Sequence, residues 1–405
     1  MQAVMPVRFL DRRTPPNILT LVIIAGLSAA TMNIYLPSLP RMTEHFGTDY
    51  ALMQASVTVY LAMNAILQLG IGPISDRFGR RPVLLGACAL FCLATLGILF
   101  SPSVWVFLAF RMAQAVIVSG LVLSRAIVRD MYPAEQAASR IGYVTMGMAL
   151  VPMVAPVAGG VLDSAFGWQA NFWLLLVCGI AVTALIWFDL GETAPRGGGG
   201  FAAQFRDVPQ LFSSRRFWGY CLSSTLASGA FFAYLGGAPF VGSVIYGLSP
   251  AQLGLFFGAP AVGYMIGNGL SGRYSVRFGL NAMIVTGSLI STTGMLVALS
   301  LFYAGQATVA VFFGSMTLVG LGNGLVMPNA MAGMLSVRPH LAGTASGVGG
   351  AILIGGGALL SALAGVVLTP ESGALPLVWL MLVSVALGLC SIGYVIRRER
   401  QLNRG

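Results

Sequence analysis

The chain alternates long apolar runs with polar connectors, twelve times over. The runs lie at 17–40, 51–73, 83–100, 104–126, 141–164, 169–190, 217–241, 251–272, 281–303, 309–332, 341–366 and 376–396. About 20 apolar residues let a helix cross the hydrocarbon of a bilayer, so each run predicts one membrane span. Lipid offers no hydrogen bonds to the backbone, which makes helices the expected form. The predicted fold is all-α and integral to the membrane, with spans one to twelve in chain order. Most connectors are short and carry turn formers, such as Ser101-Pro102-Ser103 and Ser249-Pro250. One, 191–216, is longer and holds Pro195, glycines 197–200, Arg206, Arg215 and Arg216. It reads as a linker between two six-helix bundles, 1–190 and 217–405.

Composition agrees. Charged residues make up 8% of the chain and hydrophobic ones 57%, against about 25% charged in soluble domains. A soluble enzyme, a disordered chain, a collagen-like fibre and a small secreted module are excluded. The net charge of +10 comes from 22 arginines without a lysine, spread in small groups. A nucleic-acid binder would gather them on one folded domain. Here they mark topology. One set of connectors holds Arg8, Arg12, Arg13, Arg77, Arg80, Arg81, Arg129, Arg140, Arg196, Arg206, Arg215, Arg216, Arg273, Arg277 and Arg338, and the tail adds Arg397, Arg398, Arg400 and Arg404. The alternate connectors hold Arg41 alone. By the positive-inside rule both termini and the linker are cytoplasmic, which requires an even number of spans. Cleavage of the first run near Ser28-Ala29-Ala30 as a signal peptide would leave an odd number.

Gly72-Pro73-Ile74-Ser75-Asp76-Arg77-Phe78-Gly79 follows span two, and Gly272-Arg273-Tyr274-Ser275-Val276-Arg277-Phe278-Gly279 follows span eight, offset by 200 residues. Gly, Ser, Arg, Phe and Gly match without a gap, so the two halves read as parallel repeats, the second lacking the acid. Asp76 at a helix end can pair with Arg77, Arg80 or Arg81, or with another helix end, as a gate would. The plainer reading is a basic loop that only sets topology.

With Arg80, Arg81 and Pro82 the first copy resembles the loop signature of the major facilitator superfamily. Phe110-Arg111-Met112-Ala113-Gln114 resembles motif B of its drug/proton antiporters, and Ala155-Pro156-Val157-Ala158-Gly159-Gly160 resembles their motif C, with Ala155 in place of the usual glycine. Ile34-Tyr35-Leu36-Pro37 and Arg125-Ala126-Ile127-Val128-Arg129-Asp130 are similar to the Bcr/CflA multidrug efflux subfamily. The resemblance implies two bundles rocking about a central cavity in a bacterial inner membrane, exporting small amphipathic drugs against inward proton flow. It implies gating roles for Gly72, Asp76, Arg77, Gly79, Arg80 and Arg81. In motif C, Pro156 interrupts the helix ladder while Gly159 and Gly160 remove bulk, so this helix can bend and pack closely.

None of the twelve acids falls within the apolar interior of a span, and Arg111 is the one interior cation. An unpaired arginine facing lipid is expensive, so Arg111 either lines a cavity or snorkels to the interface. The interior amides are Asn33, Asn64, Gln68, Gln114, Asn268, Asn323 and Asn329. Tyr60, Asn64 and Gln68 share one helix face, as do Tyr220, Ser224 and Ser228, with Phe231 nearby. With Tyr35 these groups suit a pocket for a ring-bearing amphipathic molecule. The alternative for each amide is a hydrogen bond between helices, worth about 0.6 kcal/mol. Relatives often carry an acid where this chain has Asn33, beside the span-four arginine. Asn33 cannot titrate, but it can accept a hydrogen bond from Arg111. Proton coupling would then use a group near a helix end, such as Asp163 or Asp189, or transport is not proton-driven.

Five cysteines, of which only Cys88 and Cys92 lie one turn apart, read as apolar filler; neither a metal nor another cofactor is expected. His45 and His340 fall in connectors, and no nucleophile–base pair sits at depth, which argues against an enzyme. Nothing indicates an oligomer, and a monomer is expected. The expected partners are a small-molecule substrate, protons and the lipid bilayer, with no nucleic acid. The competing reading is uptake or exchange of a small organic anion bound by Arg111.

Overall fold

Helix boundaries follow the capping and breaking residues. The computed structural model describes residues 9–14, 16–132, 151–193, 208–338 and 342–402. Asn17 caps α1 (Ile18–Asn33) by accepting the Leu19 N–H. Pro37 has no N–H to continue the ladder, and a 3-10 turn at Leu36–Ser38 leads into α2 (Leu39–Phe46). α3 covers Tyr50–Phe78 and α4 Arg80–Leu99. Ser103 caps α5 (Val104–Gln114); a 3-10 turn at Ala115–Ile117 then leads to α6 (Val118–Met131). α7 is Val151–Phe166, α8 Gln169–Asp189 and α9 the short Val208–Phe212. α10 (Arg215–Phe240) contains Pro239 and ends in a π turn at Val241–Ile245. A capping box of Ser249 and Gln252 opens α11 (Pro250–Phe257), which breaks at Gly258 before α12 (Ala259–Phe278). α13 (Leu280–Tyr303), α14 (Val309–Ser336), α15 (Ala342–Val367) and α16 (Leu375–Leu402) complete the chain.

Among the described residues, eleven helices are long and apolar enough to cross a membrane, and span five appears as the shorter apolar helix Val154–Phe166. The predicted start of span five, 141–150, lies outside the described residues, as do Arg8, Arg140, Pro195, Arg196, glycines 197–200, Arg206, His340 and Arg404. Spans one, four and eight, each predicted as a single run, are broken within their length. Their breaks come from Pro37, from the turn after Gln114 and from Gly258 with Pro260. Span one is also longer than its apolar run, reaching Phe46 through a helix whose polar residues the run omitted.

The repeat is visible in the backbone. α3 ends at Phe78 and α12 at Phe278; the next residue, Gly79 or Gly279, has φ of 95° or 83°. Each glycine N–H returns to a serine carbonyl, Ser75 or Ser275, at 2.9 Å. Side chains other than glycine rarely adopt this φ, which explains why both copies keep it. Arg77 stacks on Phe78 at 5.3 Å and Arg277 on Phe278 at 5.4 Å. Large apolar side chains stand exposed on spans three, six, nine and twelve, among them Leu93, Val177, Val297 and Leu387. That suits lipid contact.

Candidate functional site

Arg111 lies on α5 one turn before the break in span four, with 0% of its surface exposed. Its guanidinium carbon is 4.3 Å from the ring centroid of Tyr35 and 4.3 Å from that of Tyr60. One amino group donates to the Thr31 carbonyl at 2.9 Å, the other to Gln114 Oε1. Gln114 in turn donates to Thr95 Oγ1 at 2.8 Å. Thr31 is in the last turn of α1, where carbonyls lack helical partners and carry the negative end of the helix dipole. The cation is thus enclosed by protein rather than snorkelling. Two π faces and two oxygens meet it, and among the described residues no carboxylate does.

The expected hydrogen bond from Arg111 to Asn33 is absent. Asn33 donates to the Ala29 carbonyl of its own helix at 2.7 Å, and its Oδ1 is buried without a partner. The free Thr31 carbonyl and the Tyr35 ring take the arginine instead. Tyr35 is held by its hydroxyl against Ser56 Oγ at 3.1 Å, and Tyr60 reaches the Ser28 carbonyl at 3.4 Å. Asn64 and Gln68 bond to each other at 2.9 Å.

The second-half candidates make their own local bonds. Ser224 donates to the Cys221 carbonyl of its own helix, Ser228 contacts Met327 Sδ at 2.9 Å, and Asn268 donates to the Tyr264 carbonyl. Phe231 packs its ring on Phe232 and Tyr234, and Asn323 keeps a buried, unpartnered Oδ1. Tyr220 does not extend the Ser224 and Ser228 face as a pocket residue. Its hydroxyl donates to Asn281 and Glu399 near the end of α16.

At the arginine-rich end, Arg80 is a hub. It pairs with Asp76 at 2.6 Å and with Asp130 of α6 at 3.0 Å, and it donates to Ser75 Oγ. Arg81 stacks 5.0 Å over Trp187 and donates to its carbonyl at 3.1 Å. Glu192, just past α8, accepts the Arg80 and Arg81 backbone N–H groups at 2.8 and 3.2 Å, where α4 leaves donors free. A side chain on Gly79 would meet this carboxylate. Gly72 is not held by close packing, since an added Cβ would touch nothing within 4 Å. Its carbonyl instead accepts from Ser75 Oγ at 2.7 Å. In the second copy Val276 is 97% exposed, and Asn281 bonds to Glu399, which pairs with Arg216 at 2.6 Å. Arg80→Gln should cost about 2–3 kcal/mol, less than a fully buried pair because Asp76 is 33% exposed. Arg77→Gln, which removes an exposed stacking contact, should cost under about 1 kcal/mol. Thermal unfolding of the detergent-solubilised variants measures both.

The arginine-poor end is sealed between the first six spans and the last six. A Cβ on Gly159 would fall on the Ile34 carbonyl, one on Gly160 on the Pro250 carbonyl, and one on Gly254 on the Pro156 carbonyl. Motif C therefore packs backbone to backbone, as its glycines predicted, with Pro156 inside α7. Beside it, Tyr50 donates to the Gly236 carbonyl at 2.8 Å, and Gln54 donates to the Ser361 carbonyl at 2.6 Å and hydroxyl at 2.8 Å.

Asp130 was open to detection in the arginine-rich stretch 125–130; Glu192, Tyr50, Gln54 and Ser361 had no local signal, because their partners lie more than a hundred residues away.

Residues 21–362 match the family profile described as Major Facilitator Superfamily. The chain is 32% identical over 378 residues to the chloramphenicol resistance protein of Pseudomonas aeruginosa, covering 91% of this chain and 88% of that one. It is 30% identical over 394 residues to multidrug resistance protein D of Escherichia coli (strain K12), covering 95% and 97%. A solved D-xylose-proton symporter shares the fold, with a TM-score of 0.74 at 17% identity, covering 93% of this chain and 96% of that one. With the family profile spanning most of its length, this multi-span membrane protein belongs to the Major Facilitator Superfamily.

Proposed function

We propose that this chain is a secondary transporter that exports small amphipathic, antibiotic-like compounds by alternating access, driven by proton antiport. The relatives named for chloramphenicol and multidrug resistance support the direction and the substrate class. The arginine-rich face is cytoplasmic, the membrane is the bacterial inner membrane, and bundles 1–190 and 217–405 rock about the linker 191–216. The sealed arginine-poor face then makes this conformation one that is closed to the periplasm.

The observation that carries the reading is Arg111, fully buried between Tyr35 and Tyr60 with no acid beside it among the described residues. Arg111, Tyr35, Gln114 and Asn33 form one wall of the binding region, together with Asn64 and Gln68. Ser224, Ser228, Phe231, Asn268 and Asn323 form the other. Expression in a strain stripped of its own pumps should raise chloramphenicol tolerance several-fold; unchanged or lower tolerance would reverse the assigned direction. In inverted vesicles, accumulation of labelled chloramphenicol should collapse when a protonophore removes the pH gradient.

A further inference from the structure

Away from the Arg111 cluster, Asp163 on α7 is a fully buried carboxylate with one oxygen lacking a partner. Its Oδ1 is 3.0 Å from Arg41, which also donates to the Asp163 backbone carbonyl at 2.7 Å. Its Oδ2 is buried and unbonded. A carboxylate in that state forgoes the hydration it would have in water, and Arg41 is its one charged partner among the described residues. Asp163 follows Gly160 by three residues and Gly159 by four, which puts all three on one helix face. That is the face held between the Ile34 carbonyl and Pro250 in the closed end. Arg41 is 49% exposed and borders a cavity of about 460 Å³ with Glu44, His45, Trp168 and Gln169.

We propose that Asp163 is a proton-binding site through which pH on the arginine-poor side controls closure of that side. While Asp163 is ionised, its pair with Arg41 ties the tail of α7 to α2 and supports the packing of Gly159 and Gly160. A proton from water adds to Oδ2 and turns the carboxylate into a neutral acid. The ion pair is lost, and Arg41 turns to the cavity, where Glu44 stands three residues along the same helix. The pair therefore contributes to closure at high pH and ceases to do so as pH falls. Among the described residues, the charged and titratable groups facing this corner are Arg41, Glu44 and His45, all on α2. α1, α11 and the start of α8 bring no Asp, Glu, Arg or His to it, and Tyr35, just past α1, packs on Phe172. Such a site would couple external acidity to outward opening without lying on the substrate path.

The test uses the full chain in nanodiscs, with the five native cysteines replaced and spin labels at Asp49→Cys and Val244→Cys. Lowering the pH from about 8 to about 3 passes the ordinary aspartate range and should deplete the short-distance, closed population at least about threefold. Asp163→Asn should give one distance distribution at both pH values. Arg41→Gln, which keeps the acid, should deplete the closed population already at high pH, so the inference does not hang on one variant folding. His45→Gln should keep the wild-type response. A wild type without a pH response, an Asp163→Asn variant that retains it, or a His45→Gln variant that loses it would each overturn the assignment. None of these readouts requires a substrate, so export can fail its own test independently.

Discussion

Gly160→Val is expected to bring drug export down to the level of an empty strain. The new Cβ falls on the Pro250 carbonyl, and the next contact is the Ala251 Cα. Backbone cannot rotate aside as a side chain would, so α7 and α11 must separate for valine to fit. Overpacking of this kind costs about 3 kcal/mol, and that cost falls only on the closed state. About 3 kcal/mol moves a two-state equilibrium roughly a hundredfold toward the open form. A transporter that cannot close its outer end cannot complete its cycle. Spin labels at positions 49 and 244 should report the long distance at every pH, and export should be lost with the protein still present in the membrane. Gly86→Ala is the control, because a Cβ there meets nothing within 4 Å on an exposed face of α4. Normal closure and export by Gly160→Val would refute the backbone seal.

Arg111→Lys is expected to lower transport about 10–100-fold, as loss of one desolvated cation–π contact and one hydrogen bond implies. A guanidinium is planar and presents its donors in a fixed fork, so it can lie between the Tyr35 and Tyr60 rings while serving both Thr31 and Gln114. An ammonium is a point charge on a shorter reach and cannot hold all four. Arg111→Met removes the charge and strands two buried acceptors, at about 1–3 kcal/mol each. The ring and the hydroxyl of Tyr35 can be separated. Tyr35→Phe loses only the contact with Ser56 and should cost far less than Tyr35→Leu. Initial rates of drug accumulation in inverted vesicles, normalised to protein amount, measure the series. Equal rates for lysine and arginine would show that charge alone matters at this position.

The resemblance and the residue chemistry together located the Arg111 neighbourhood but not its wiring. A lone arginine in an apolar run is conspicuous, because lipid tolerates so few charges. Its partners were not: Asn33 was the natural acceptor by residue type, whereas the structure uses a backbone carbonyl two residues earlier. Any residue has a carbonyl, so no side chain can announce which one will be free. Gly72, to which the resemblance gives a gating role, has open space beside it. Gly159 and Gly160 met the expectation of close packing through the backbones they touch, and Gly79 is required by its φ.

Span number, the arginine asymmetry between alternate connectors and the repeat at an offset of 200 residues were determined by the sequence itself. All three express rules that act locally: a bilayer demands a run of apolar residues, and a left-handed turn demands glycine. The neutral cage around Arg111, the capture of two α4 amides by Glu192, the burial of Asp163 beside Arg41 and the seal between spans five and eight were decided by tertiary structure alone. Each joins residues far apart in the chain through shape, desolvation and backbone groups, and those terms exist only once the helices have packed.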